Sequence, residues 1–240
     1  MGQIANQKAL ELAHKANEGI KKSKHGNLIL MLVLLVISIA FTIIVCTVDR
    51  QAIGPDGTVV GLATINGSFA EAAGLNLTWD KISDVAMIIA ILTAVSFMIV
   101  GFIQLVKRKS LKKVDSVIWI LAAMYVIVVA LYVLFDKVVV INLRPVLLPD
   151  ELELESSFPS THVLVICTIM ATASSAWNKL CGEKHATLVN ILRLISILTM
   201  AIAVAGRLIS GVHWFTDIAG AALYSCFLIS VYEFLLGKSK

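Results

Sequence analysis

Six long apolar segments dominate this chain and restrict it to folds that cross a membrane. An α-helix needs about 20 apolar residues to span the hydrocarbon core of a bilayer. Segments of this kind occupy residues 28–48, 82–106, 117–135, 161–177, 188–205 and 215–236. With 58% hydrophobic and 15% charged residues, the composition does not suit a soluble domain. We therefore predict an all-α polytopic membrane protein with six transmembrane helices in one bundle.

The remaining residues form tails and loops around this membrane domain, which we place at residues 27–237. Residues 1–26 are rich in lysine and are predicted to be a basic N-terminal tail or a helix on the membrane surface. Residues 238–240 form a short C-terminal tail. The long loop 49–81 contains a strong turn sequence at its start and is predicted to form a small hairpin or a lid.

The positions of lysine and arginine predict the orientation of the chain, because these residues collect in cytoplasmic loops. They collect in the N-terminal tail, in residues 107–113, between spans four and five, and after span six. Six crossings put all four regions on one side. We therefore predict a multi-pass protein of the cell membrane with both termini in the cytoplasm. The loop 49–81 and the acidic stretch 150–155 then lie on the outer face.

Several other features exclude functions or leave them open. The basic residues lie between membrane spans without an aromatic stacking platform, so nucleic-acid binding has no support. The four cysteines are irregularly spaced and fit neither a disulfide framework nor a zinc site. The sequence leaves the oligomeric state undetermined.

Three polar clusters lie at or near the edges of the apolar segments, where ionisable groups usually have a function. The first contains Lys137 and Arg144, which are two helical turns apart and would face one side of a helix. Pro145 restricts Arg144 away from helical geometry, so the helix is predicted to end there. The pair is either an anion site or two side chains that snorkel at the end of a span.

The second cluster is Pro159-Ser160-Thr161-His162, at the start of the fourth span. Ser160 is a preferred N-cap residue, and the free N–H groups of a helix start form an anion site. Capping explains the serine completely. It does not explain His162, which lies one step inside the helix.

The third cluster contains Arg207, His213 and Asp217. If Gly211 allows a turn, Arg207 ends span five and His213 opens span six. His213 and Asp217 are four residues apart and so share a helical face. The carboxylate could accept the Nδ1 proton of the imidazole and leave Nε2 free to attack. The alternative is a purely structural His–Asp hydrogen bond.

Together the clusters resemble the motifs of the type-2 phosphatidic acid phosphatase family, which comprises lipid phosphatases related to the vanadium haloperoxidases. The family pattern is Lys, six residues, Arg-Pro; then Pro-Ser-Gly-His; then Ser-Arg, five residues, His, three residues, Asp. This sequence departs from it at two positions, with Thr161 in place of glycine and Gly206 in place of serine. The motifs cover residues 137–217, and the six-span layout is similar over most of the chain.

The resemblance implies a role for each matching residue. His213 would be the nucleophile that accepts the phosphoryl group, Asp217 would orient it, and His162 would protonate the leaving oxygen. Substrate phosphate would be bound by Lys137, Arg144, Ser160, Thr161 and Arg207. No metal ion or other cofactor would be needed, because the cations would replace the magnesium used by kinases.

The expected function is therefore that of a lipid phosphatase at the outer membrane face, surrounded by membrane lipids. Its substrate would be a lipid phosphate or diphosphate, with undecaprenyl diphosphate, phosphatidylglycerophosphate and phosphatidic acid as candidates. The alternative is a non-enzymatic lipid-binding or transport protein with the same fold. In an empty site the three cations are expected to repel one another, and bound phosphate would relieve this repulsion.

Overall fold

The computed structural model describes residues 2–149, 151–182 and 185–239, with side chains from His25 onward. Its helices are α1 Gly2–Thr47, α2 Ala63–Ala73, α3 Leu77–Arg108, α4 Ser116–Val133, α5 Thr161–Cys181, α6 Ala186–Ser210 and α7 Phe215–Lys238. All except α2 contain a stretch that is long and apolar enough to cross a membrane. The prediction of an all-α membrane protein with six spans is confirmed.

Successive spans run in alternating directions, so the three polar clusters meet at one end of the bundle. We call this the motif end; there α1, α4 and α6 finish, and α3, α5 and α7 begin. The opposite end, the far end, carries residues 107–113 and both described ends of the chain. The backbone of the predicted tail 1–26 is helical from Gly2 and continues into the first span without a break.

The core of the bundle lies around α5 and α7. About half of the apolar stretch in α5 is buried, 56%, against 11% in α1, which mostly faces lipid. Small side chains such as Ala173 and Ala176 are fully buried and allow α5 to pack closely against its neighbours. A hydrogen bond of 2.9 Å joins Thr42 Oγ1 of α1 to the Tyr224 hydroxyl of α7.

The connection between α1 and α3 includes the predicted hairpin. Gln51 and Val60 exchange backbone hydrogen bonds of 3.1 and 2.9 Å around the turn at residues 54–57. The short helix α2 follows and is fixed to the start of α7 by the buried Asn66. The Asn66 amide donates to Thr216 Oγ1 at 2.9 Å, and its oxygen accepts from the Thr216 N–H at 3.1 Å. Helix α2 therefore covers the beginning of α7.

The turn predicted at Gly211 is confirmed. Gly211 has φ +70°, and a side chain there would collide with the backbone of Gly74, whose oxygen lies 1.8 Å from the Cβ position. Helix α6 ends at Ser210, and α7 begins at Phe215. Arg207 thus lies in the last turn of α6, as predicted. His213 lies in the short link before α7, so the prediction that it shares a helical face with Asp217 is wrong.

Candidate active site

A cavity of 840 Å³ opens at the motif end and brings the three clusters together. Residues of every cluster line it, namely Lys137, Arg144, Thr161, His162 and His213. Ser160, Arg207 and Asp217 lie deeper and are almost completely buried. Residues separated by up to 80 positions in the sequence therefore share one site.

His213 and Asp217 form a buried pair at the start of α7. His213 Nδ1 lies 3.5 Å from Asp217 Oδ2, which is longer than a normal N–H···O hydrogen bond. The same carboxylate oxygen accepts the Trp214 backbone N–H at 2.9 Å, so Asp217 also caps α7. The helix start thus fixes the carboxylate, and the carboxylate faces Nδ1 of the imidazole.

The environment of His213 favours the neutral imidazole. Burial lowers the pKa of His213 well below its usual 6.5, and the positive charges of Arg207 and Arg144 lower it further. A neutral ring has a lone pair on one nitrogen at physiological pH. His213 therefore meets the electronic requirement for a nucleophile.

The second cluster begins α5, as the sequence predicts, but its serine does not cap the helix through its side chain. Ser160 is the N-cap residue, and its backbone N–H donates to the Asp217 carbonyl at 3.0 Å. Its hydroxyl is buried and has no hydrogen-bond partner among the described residues. The hydroxyl is thus free for a ligand, because the backbone and not the side chain fixes the helix start.

Helix α3 contributes two aspartates to the site that no sequence motif had marked. Arg207 is 2% exposed and donates from Nη1 to Asp80 Oδ1 and from Nη2 to Asp84 Oδ1, the latter at 3.3 Å. Asp84 Oδ1 is also 2.9 Å from His162 Nε2. A carboxylate inside an apolar span was a detectable signal, because such groups usually serve a function. The boundary predicted at residue 82 placed Asp80 in a loop.

Packing explains why residue 206 is glycine here, where the family pattern has serine. A Cβ at this position would come within 3.1 Å of Ser83 Cβ and 3.4 Å of the Trp79 carbonyl oxygen. Glycine therefore allows α3 to approach α6 closely. This approach brings Asp80 and Asp84 to Arg207.

The helical relation predicted for Lys137 and Arg144 is wrong. The helix continues from α4 through a π turn at Leu134–Val138 and then ends, so only Lys137 is helical. Residues 138–141 are all β-branched, which disfavours a longer helix. Arg144 lies instead in a short antiparallel pairing, where its backbone N–H donates to the Glu155 carbonyl at 3.0 Å.

Each predicted phosphate-binding cation has a carboxylate partner, which offsets the mutual repulsion expected of the three cations. Arg144 pairs with Glu155 at 2.7 Å and with Glu151 at 3.6 Å. Lys137, whose side chain is 73% exposed, pairs with its neighbour Asp136 at 2.9 Å. Carboxylates neutralise the cations because a buried unpaired charge is costly.

The pairing still leaves strong donors unused. Within the part of the chain that the structure describes, Arg144 Nε, Arg207 Nε and the Ser160 hydroxyl are buried without a hydrogen-bond partner. Leaving a buried donor unsatisfied costs about 1–3 kcal/mol, so such groups are rare unless they serve a ligand. These three donors come from the three clusters and could all bind the oxygens of one anion.

An apolar groove adjoins the polar cavity. It has a volume of 770 Å³ and lies between α3 and α4 over one face of α5. Tyr132 and Thr161 line both the groove and the polar cavity. Leu105 and Val114 line its other end, near the far end of the bundle. The groove therefore connects the polar site to the lipid-facing side of the bundle.

Comparisons with known proteins identify the family. Residues 116–237, which include all three clusters, match the PAP2 superfamily. Among solved structures, the chain is similar to the crystal structure of a transmembrane PAP2-type phosphatidylglycerolphosphate phosphatase from Bacillus subtilis. The TM-score is 0.55 at 17% sequence identity, and the similarity covers 88% of this chain and 97% of that chain. The search of curated proteins finds no match.

The structural similarity, at this low identity, shows a shared fold. The family match is more specific, because it covers more than half of the chain and contains every residue of the three clusters. The chain therefore belongs to the PAP2 superfamily, the type-2 phosphatidic acid phosphatase family.

Proposed function

We propose that this protein is an integral membrane phosphohydrolase that removes phosphate from a lipid phosphate or diphosphate. One observation carries the proposal: His162, His213 and Arg144 from distant segments line one cavity, and buried Arg207 is joined to His162 through Asp84. These groups are of the types that phosphoryl transfer requires, namely a nucleophile, a proton donor and cationic hydrogen-bond donors.

The proposed reaction has two steps. In the first, Nε2 of the neutral His213 attacks phosphorus while the leaving oxygen takes a proton from His162, which gives a phosphohistidine. Asp217 then faces a positively charged imidazole and stabilises it. In the second step, water gives a proton to His162 as its oxygen bonds to phosphorus, and the P–N bond breaks to release phosphate.

Arginine side chains supply the electrostatic part of the proposed mechanism. A phosphate group carries more negative charge than a carboxylate and offers three oxygens, so it can displace Glu155 from Arg144 and the aspartates from Arg207. Each cation–anion contact at about 4 Å contributes roughly 4 kcal/mol at an effective dielectric constant of 20, before desolvation. We propose that Ser160 and the first backbone N–H groups of α5 add hydrogen bonds, and that no metal ion is needed.

The apolar groove supports a lipid as the substrate. From Met87 to Leu105 it follows α3 for about 27 Å at 1.5 Å per residue. This length approaches the roughly 30 Å thickness of the hydrocarbon core. A hydrocarbon chain in the groove would place its phosphate beside Thr161 and His162. The similar Bacillus subtilis structure favours phosphatidylglycerophosphate among the candidates, and undecaprenyl diphosphate and phosphatidic acid remain alternatives.

We propose that the motif end faces outward and that both termini are cytoplasmic, since lysine and arginine collect at the far end. Two single-cysteine variants in a cysteine-free background test this orientation. Leu152 is 98% exposed near the cavity, whereas Lys112 lies at the far end. A membrane-impermeant maleimide added to intact cells should label Leu152→Cys and not Lys112→Cys. The opposite pattern would contradict the proposed orientation.

Phosphate release from purified protein tests the proposed function. Wild-type protein in detergent with EDTA should hydrolyse at least one member of a panel of lipid phosphates. His213→Asn should lower the rate by at least about 1,000-fold, because it removes the nucleophile. The matched control, Lys107→Glu at the far end, should retain the wild-type rate. Equal rates for wild type and His213→Asn, or no hydrolysis by the wild type, would contradict the phosphatase and favour a non-enzymatic lipid-binding protein. A strict requirement for magnesium would contradict the metal-free mechanism alone.

A further inference from the structure

Asp84 occupies a position between two groups of the candidate site. Its Oδ1 lies 2.9 Å from His162 Nε2 and 3.3 Å from Arg207 Nη2. It belongs to α3, outside the three clusters and outside residues 116–237 that match the family. Asp84 thus contacts both the proposed proton donor and a proposed phosphate-binding arginine. No motif accounts for a carboxylate at this position.

We infer that Asp84 is a positioning residue that orients His162 for proton transfer; this inference rests on the proposed phosphatase function. The contact with Nε2 fixes the orientation of the ring. It also leaves Nδ1 as the ring nitrogen that can exchange a proton with the substrate.

The step balances without any further reactant. As phosphorus bonds to His213 Nε2, the bond to the leaving oxygen breaks, and that oxygen takes the proton from His162 Nδ1. His162 becomes neutral and keeps its Nε2 proton in the hydrogen bond to Asp84. Asp84 itself neither gains nor loses a proton.

Asp80 provides a matched comparison on the same helix. It lies one turn before Asp84 and contacts the same arginine through Nη1, but in the described part of the chain it forms no ion pair with His162. If Asp84 acted only by holding Arg207, the two aspartates would have the same kind of effect. If Asp84 acts through His162, its effect must depend on how strongly the leaving group needs a proton.

Two soluble substrates separate these roles. Hexyl phosphate releases an alkoxide that must be protonated, whereas 4-nitrophenyl phosphate releases a phenolate that is stable without a proton. Asp84→Asn should lower kcat on hexyl phosphate about 10- to 100-fold and on 4-nitrophenyl phosphate less than about threefold. Asp80→Asn should lower both rates by the same factor. His162→Asn should show the selective pattern, and adding Asp84→Asn to it should cause no further loss on hexyl phosphate.

Size-exclusion chromatography of each purified variant reports whether it folds, and only folded variants are compared on the two substrates. If Asp84→Asn does not fold, Asp84→Glu, which keeps the charge but moves it, should show the same selective loss in weaker form. Equal losses on both substrates, or full additivity with His162→Asn, would overturn the role of Asp84 and leave the phosphatase intact. A wild-type protein inactive on these substrates and on every lipid phosphate would overturn the proposed function and this inference with it.

Discussion

Each end of the bundle has an arginine paired with an aspartate, and the two pairs differ in almost every other respect. At the far end, Arg108 and Asp115 are 2.6 Å apart and both are 40% exposed. Asp115 Oδ2 also accepts from the Gln104 amide at 2.8 Å, and its backbone N–H donates to Gln104 Oε1 at 2.9 Å. Both carboxylate oxygens of Asp115 are thus used within the protein, and the exposed guanidinium of Arg108 can also be solvated.

At the motif end, Arg207 is 2% exposed, yet its Nε remains without a partner among the described residues. Burial strengthens an electrostatic contact, and a buried hydrogen-bond donor without a partner lowers the stability of the protein. The far-end pair connects the end of α3 to the start of α4 and is exposed to solvent. The motif-end pair retains unused hydrogen-bonding capacity, as expected for a ligand site. This contrast predicts which changes affect chemistry and which do not.

Replacement of the two arginines should give the largest difference. We expect Arg207→Ala to lower kcat/KM for a lipid phosphate by about 1,000-fold, since a buried cation next to the phosphoryl group is lost. Arg108→Ala should change it by less than about twofold, because exposed ion pairs contribute roughly 0–1 kcal/mol. Steady-state phosphate release checks both, with size-exclusion chromatography as the test of folding. Similar losses from the two variants would contradict the contrast.

A change in the apolar groove should affect the binding of the lipid chain and leave the chemistry at the motif end unaffected. Ala122 and Ala123 are both exposed on α4, but only Ala122 lines the groove. We expect Ala122→Phe to lower kcat/KM for a long-chain lipid phosphate about tenfold, because the ring fills space that the chain would occupy. Its kcat/KM for 4-nitrophenyl phosphate should remain unchanged. Ala123→Phe is the matched control and should leave both values unchanged. Equal effects of the two variants would show that the groove does not hold the lipid.

The carboxylates that pair with Arg144 should compete with phosphate for the Arg144 side chain. Glu155 is half exposed and forms the shorter contact with Arg144. Removing an exposed ion pair is worth up to about 1 kcal/mol, so Glu155→Gln should lower the inhibition constant of inorganic phosphate about two- to fivefold. Glu153→Gln, an exposed neighbour in the same loop, should leave this constant unchanged. Weaker phosphate inhibition in Glu155→Gln would indicate that Glu155 assists binding.

The smallest predicted effect concerns acid stability. The pKa of His213 is lowered in the folded state. Below about pH 6.5 the unfolded chain therefore binds a proton at this residue that the folded protein does not bind. His213 therefore contributes full stability above pH 6.5, and this contribution is lost as the pH falls. Between pH 7.5 and 5.5, the Tm of the wild type should fall about 3–5 °C more than that of His213→Asn. Parallel declines of the two Tm values would contradict a neutral buried imidazole.

Much of this architecture follows from local sequence. Apolar length predicts the six spans, because the bilayer sets the length of a spanning helix. The turn at Gly211 and the start of α5 at Ser160 also follow, since each depends on one residue and its immediate neighbours. The resemblance of the motifs to the family pattern predicts which histidines and arginines meet.

The carboxylate partners did not follow from the sequence, because they depend on contacts between distant elements. Asp80 and Asp84 reach the site where α3 approaches α6 closely, at Gly206. Glu155 reaches Arg144 through a backbone pairing that replaces the expected helix. Spacing along one helix cannot predict such contacts, since it contains no information about what packs opposite.

A structure of the protein with bound orthovanadate tests the central claim most directly, because vanadate resembles the transition state of phosphoryl transfer. We expect vanadium bonded to His213 Nε2, with Arg144 and Arg207 donating to the vanadate oxygens and His162 on the side of the leaving group. Vanadate bound elsewhere, while both arginines keep their carboxylate partners, would contradict the claim that these residues bind one phosphoryl group.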